Sequence, residues 1–227
     1  MQRMTRALFL PLLAASVAFV AQAPATGASP DRIHPSTDHA RGGPPSEPRR
    51  LRLNEVDYDQ PGIDDREFVE IVNAGTQRYR LRRVALILVN GSTATEYRRI
   101  RLAGRLGPSR SLVLATGSVR VADGSRSLPL PLARDNLQNG SPDAIALFDT
   151  ANRTVIDAVS YEGAITAATF EGVPRTWSLV QGTPVSESDS NEVVGTLCRL
   201  PDRSDTGDDD HDWAACKPTP GGRNHEA

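Results

Sequence analysis

A period-two pattern interrupted at Pro61-Gly62 runs through residues 51–73. Leu51, Leu53, Val56 and Tyr58 precede the break, Asp64 and Asp65 follow it, and Phe68, Val69 and Ile71 resume the apolar series. Alternating β-branched and aromatic residues on both sides of a Pro-Gly break predict two strands joined by a turn. The parity slips inside the first strand: Leu51 and Leu53 share a face with Glu55, while Val56 and Tyr58 take the other. One extra residue exchanges the two faces of a strand, so the slip predicts a β-bulge near Asn54-Glu55.

The rest of the chain follows the same pattern. No run of ten or more residues shows helical periodicity. Short apolar runs at 84–89, 97–102, 111–114, 144–148, 155–161, 176–180 and 196–200 lie between turn clusters. Many short strands at such spacing predict an all-β sandwich or barrel. Residues 84–89 are apolar at both parities, which predicts a central strand covered on each side. Residues 155–161 are expected to pair with 144–148 through the loop at 149–154, as a hairpin. A 38% hydrophobic content in 227 residues is enough for one core, and Trp177 and Trp213 are expected in it or in a flap over it, with a ligand platform as the other reading.

The pattern of residues Asn54, Glu55, Val56 and Tyr58, then Glu67 through Ile71 and Asn73, followed by Leu81 and residues 84–91, resembles the lamin-tail domain family. Residues 136–148 and 155–163 agree with it in order, and residues 218–224 are similar to how secreted bacterial members end. The resemblance covers most of 51–224. It implies an immunoglobulin-like β-sandwich with a structural or interaction role. Members are sometimes joined to secreted hydrolase domains, and a fold alone does not give a function.

Residues 1–25 predict a secretory signal: Arg3 and Arg6, an apolar run at 7–21, then small residues, with cleavage expected after Ala25. A membrane anchor needs about 20 continuous apolar residues, and this run is shorter and broken by Pro11. No later stretch is apolar enough to span a bilayer, and no Cys marks a lipoprotein, so the mature chain is expected outside the cell or at its envelope. Residues 26–50 hold Pro, Gly, Ser and charge with little to bury, and are expected to form a disordered leader. The domain is expected over 51–224, with an acidic extension at 180–224 and a short tail at 225–227. The two cysteines, Cys198 and Cys216, both lie in this extension. In an exported chain an even pair of Cys predicts one disulfide, pinning the acidic segment to the sandwich.

Charge is unevenly placed. Residues 51–134 hold fourteen Arg against nine acidic residues, a net +5, whereas 135–227 hold six basic residues against sixteen acidic ones, a net −10. If residues 78–82 form a strand, Arg78, Arg80 and Arg82 share one face, and Arg98, Arg99 and Arg101 supply a second group. Forked guanidinium donors so arranged are expected to hold phosphate or carboxylate. The other reading is a solvated face neutralised in cis by the acidic segment. Aromatic interleaving and a known fingerprint are both missing, which argues against nucleic acid. The expected partner is a protein or an anionic surface polymer.

Three further readings concern acids. Glu55, Glu67 and Glu70, lying in or beside apolar runs, either accept backbone N–H groups or pair with Arg, or else converge with Asp57 as a metal or acid/base site. Asp202, Asp205, Asp208 and Asp210 invite calcium, but lack EF-hand spacing and its distal Glu. Clustered Asp also follows from turn preferences. No G-x-S-x-G, H-E-x-x-H, P-loop or G-x-G-x-x-G occurs. His34 and His39 fall in the leader, His211 in the acidic loop and His225 beside the end, so no His serves as a base within the sandwich. The sequons at Asn90, Asn139 and Asn152 matter only in a host that glycosylates. Two function classes follow: a secreted non-catalytic binding or structural module without a cofactor, and a small metal-dependent hydrolase using the acids. The mature N-terminus is expected near Thr26, which the intact mass of exported protein reads directly; retention of Met1 is the contrary result.

Overall fold

The computed structural model describes residues 51–226; the expected signal and leader, with His34 and His39, lie outside them. Leu51–Asp57 (β1) and Phe68–Asn73 (β2) form the expected antiparallel pair, and Gly62 takes the left-handed turn position at φ 94. Their register skips Asn54: Leu53 faces Ile71, and Glu55 faces Glu70. The bulge is thus where the parity slip places it, and it brings Leu51, Leu53, Val56 and Tyr58 into one buried cluster.

Tyr79–Arg80 (β3), a 3-10 turn at Leu81–Arg83, Val84–Asn90 (β4), Thr95–Arg101 (β5), Arg105–Leu106 (β6), Ser111–Ala115 (β7) and Arg126–Pro129 (β8) follow. Then come Asp143–Asp149 (β9), Thr154–Tyr161 (β10), Ala168–Thr169 (β11), Thr176–Trp177 (β12), Thr196–Arg199 (β13), the single helical turn Asp209–Asp212 (α1) and Trp213–Cys216 (β14). One six-stranded sheet has the order β14-β13-β1-β2-β7-β8 and the other β10-β9-β4-β5-β11-β12, while β3 and β6 form a separate small ladder. Pairing is antiparallel except for β7 with β8 and β5 with β11.

The two sheets make an immunoglobulin-like β-sandwich. Leu53, Val69, Ile71, Leu112 and Leu114 from the first share a core with Leu86, Leu88, Ile145, Leu147 and Val159 from the second. Burying each such side chain stabilises by about 1.5–3 kcal/mol. The outer face of the second sheet is covered too, because Ile165, Phe170 and Leu179 pack over Ala85, Ile87, Ala146 and Phe148. That second layer explains why β4 is apolar at every parity. It also ends the strand expected at 176–180 after Trp177, since the Leu179 N–H leaves the ladder to bond Ile165 O at 2.9 Å.

The acidic extension joins the sheet. β13 pairs with β1, β14 pairs with β13, and Cys198 is bonded to Cys216 across them. Between the layers lies Arg199, fully buried. Its Nε donates to Leu53 O at 2.8 Å, and its terminal nitrogens pair with Asp157 at 3.3 Å and Asp212 at 3.2 Å. Trp213 lies 4.8 Å beneath the guanidinium. Among the described residues no helix is long and apolar enough to cross a membrane.

Removing one partner of a buried pair strands the other charge. Arg199→Ala is therefore expected to lose about 3–5 kcal/mol, and Cys216→Ser about 2–4 kcal/mol through the freed unfolded chain. Urea titration of both variants checks this, with an unchanged Arg199→Ala midpoint as the contrary result.

Candidate functional site

The acids of the opening hairpin come first, since they carry the catalytic reading. Glu55 and Glu70 sit directly opposite each other on β1 and β2, an arrangement that repels unless it is covered. The C-terminal segment covers it. Thr219 N and Oγ1 donate to Glu55 at 2.6 and 2.9 Å, and Gly221 N donates to Glu70 at 2.7 Å. Asn54 Nδ2 and Ser111 Oγ complete the Glu70 site at 2.8 and 3.2 Å. Glu67 instead accepts from Asn136 N and Nδ2, both at 2.8 Å, and from Leu137 N at 2.6 Å. Asp57 accepts from the Gln60 amide.

Glu55 and Glu70 thus fasten one C-terminal segment, whereas Glu67 fastens the segment at 136–137 and Asp57 bonds within its own turn. Burial pushes Glu55 up to about 8 despite its Thr219 donors, and pushes Asp57 up to about 9 with help from the nearby charge of Asp189. Glu67 and Glu70 are raised for the same first reason, burial.

The acidic loop is similarly occupied. Asp202 pairs with Arg203 and Arg223 at 3.4 and 3.9 Å, and Asp205 pairs with Arg52 at 3.2 Å. Asp208 accepts from Thr183 Oγ1 at 3.0 Å and Asp210 from Ser186 N at 2.9 Å. Among the described residues no three of His, Cys, Asp and Glu are grouped so as to hold a metal ion. None of the ion pairs of this loop reaches the arginines at 78–83 or 98–101.

Those arginines are arranged differently from the single expected stripe. The strand expected to carry Arg78, Arg80 and Arg82 is only two residues long, because Leu81 turns into the core and starts a 3-10 turn. Arg78 and Arg80 then line one cleft, and Arg82 lines another. In β5 a register shift between Leu88 and Val89 makes Tyr97 the extra residue. Arg98 consequently faces the core opposite Leu88, half-buried, while Arg99 and Arg101 face outward opposite Ile87 and Ala85.

The outward pair meets Arg82, together with an arginine that the sequence did not single out. Val84 pairs with Asp149, and Thr150 N bonds Arg83 O at 2.8 Å, so the β9–β10 turn lies beside the 3-10 turn. This brings Arg153 to the same cleft, a space of about 400 Å³ with Val84 and Phe148 among its lining residues and Glu171 contributing a carboxylate. The expected hairpin at 149–154 is the signal for its position, while a single arginine in a turn carries no pattern of its own. Arg99 is clamped by Glu96 at 2.6 and 2.7 Å and also donates to Glu171 O at 3.1 Å. Arg82, Arg101 and Arg153 are exposed and have no ion pair among the described residues. Chemically the cleft is a set of forked cation donors, of which Arg99 is held by Glu96, with the Glu171 carboxylate and the Thr150 hydroxyl also in its lining.

Neither tryptophan offers an open platform. Trp213 is buried, and Trp177 packs on Phe170 and Phe148 with Arg175 covering its ring at 3.7 Å.

A family model described as Lamin Tail Domain matches residues 44–163. No curated protein matches the chain. The matched span contains the hairpin acids and all four arginines of the cleft, whereas Arg199 and the disulfide lie beyond it.

The raised acids set a pH dependence. In the unfolded chain Glu and Asp ionise near about 4.3 and 3.9, whereas folded Glu55 and Asp57 keep their protons to about 8 and 9. Between those limits the folded state binds more protons, so stability falls as pH rises. The urea midpoint is expected to drop from pH 5 to pH 9, and Glu55→Gln is expected to flatten the slope. A midpoint that rises with pH contradicts it.

Proposed function

The chain belongs to the lamin tail domain family, and from that premise we propose that it is an exported, non-catalytic binding module that takes an anionic surface polymer into the cleft of Arg82, Arg99, Arg101 and Arg153. The observation that carries this reading is that Arg82, Arg101 and Arg153 are exposed and have no ion pair among the described residues. The protein places sixteen acidic residues in 135–227, yet its acidic loop pairs with Arg52, Arg203 and Arg223, and Glu171 is the one acidic residue among those lining the cleft. Guanidinium forks suit phosphate or carboxylate oxygens bidentately, and Arg99, fixed by Glu96, supplies a rigid edge.

The hydrolase reading has less support. Glu55, Glu67 and Glu70 are each occupied by backbone donors that fasten loops. Export is supported by the signal-like sequence at 1–25 and by the Cys198–Cys216 bond, a feature of oxidising compartments.

Binding of long-chain polyphosphate and of polygalacturonate to the mature protein tests the reading. Three neutralised charges are expected to weaken binding by roughly 20- to 40-fold between about 50 and 200 mM salt. Arg82→Glu with Arg101→Glu is expected to abolish it while leaving the melting temperature unchanged, since both side chains are exposed. Binding that ignores salt, or no binding of either polymer, moves the partner to a protein.

A further inference from the structure

We infer that Arg78, Arg80 and Arg105 form a second anion subsite alongside the first cleft, so that the ligand is one extended polyanion spanning both. This rests on the anionic-polymer reading above and adds to it where the chain runs.

The observation is an unfavourable pair. In the β3–β6 ladder Arg80 is the direct cross-strand partner of Arg105. Like charges in that position repel, and two exposed residues on a two-residue ladder have little other packing to offset it. Arg78 joins them around a space of about 440 Å³, completed by Thr76, Gln77 and Pro108. No carboxylate lines that space, and none of the three arginines has an ion pair among the described residues.

A fourth cation reinforces it. Gly104 sits at φ 83, and a Cβ there would meet the Arg126 guanidinium at 2.7 Å. The glycine next to Arg105 therefore lets another positive group approach. Arg126 is likewise without an ion pair among the described residues, and an anion bridging Arg78, Arg80 and Arg105 offsets the repulsion of the group.

The two subsites are joined by the backbone. Leu81 N bonds Gly104 O at 3.0 Å and Leu102 N bonds Val84 O at 2.9 Å, so the segments carrying Arg80–Arg82 and Arg101–Arg105 lie side by side. Arg80 opens to one cleft and Arg82 to the other, and their Cα atoms are no more than about 7 Å apart. A small anion fills one cleft only. A chain of repeated phosphate or carboxylate groups fills both, and gains by linkage. Phe148, the aromatic residue lining the first cleft, is buried, so neither cleft has the open ring face on which nucleic-acid bases stack.

The test compares pyrophosphate with long-chain polyphosphate, and digalacturonate with polygalacturonate, on the full mature protein and two single variants. Arg105→Glu is expected to lose at least about tenfold in affinity for the polymer and to remove one of two binding events for pyrophosphate or digalacturonate. Arg101→Glu is expected to weaken the polymer likewise and to remove the other. The pair of ligands that shows this pattern identifies phosphate or carboxylate as the repeating group. If Arg105→Glu binds polymer like wild type while Arg101→Glu does not, the second subsite is wrong and the first cleft stands. If the wild type binds none of the four ligands, the anionic-polymer reading itself fails, and this inference with it. Unchanged circular dichroism and melting temperature confirm that each variant is folded.

Discussion

Arg199 and its carboxylate partners hold together parts of the chain that have no sequence proximity. The guanidinium is fully buried, where an isolated charge would cost several kcal/mol. Its surroundings are arranged to answer that cost. Asp157 on β10 and Asp212 on α1 supply the counter-charges, and Leu53 O takes the Nε proton. The Leu53 N–H, beside the bulge, goes to the same Asp157 at 2.8 Å. The bulge in β1, the edge of the opposite sheet and the helical turn before β14 are therefore held by one network. Each of these elements is short or irregular, and none satisfies its own polar groups without the others.

The same logic extends outward through the hairpin acids. Glu67 holds the segment at 136–137, Glu55 holds Thr219, and Glu70 holds Gly221. Asn54, the bulged residue, links the two systems: its carbonyl accepts from Asn224 Nδ2 at 2.9 Å and its side chain accepts from Arg203 N at 3.0 Å. Buried carboxylates in this fold act as clasps for loops. These acids of the basic part of the chain are thus occupied internally, while Arg78, Arg80, Arg82, Arg101 and Arg105 have no ion pair among the described residues.

Much of the fold could be read in residue order because it rests on local alternation. Val84 through Val89 being apolar at both parities matches burial on both faces, and the slip at Asn54 matches the register skip. The two-residue strands β3, β6, β11 and β12 carry too few residues for any period to show. The candidate site was legible only in part. Arg99 and Arg101 do share an outward face, but Arg98 does not, because consecutive strand residues point to opposite faces, and the shift at Tyr97 decides that Arg98 is the one opposite Leu88 on the core side. The alternation argument for Arg78, Arg80 and Arg82 failed for a related reason: burying Leu81 in the core required a turn in place of a strand.

By itself the sequence determined the all-β class, the opening hairpin with its bulge, the central strand and the pairing of Cys198 with Cys216. These depend on periodicity within a strand or on a chemistry open to only two residues. Tertiary structure alone decided that Arg199 lies at the centre of the network, that Arg153 completes one cleft and that Arg105 faces Arg80. Each of these pairs residues from separate segments whose register is set by hydrogen bonds across the sheets, such as Val84 with Asp149 and Leu81 with Gly104. A charged side chain carries no periodic signal of the residue it will face, because its position depends on where the apolar residues around it are buried.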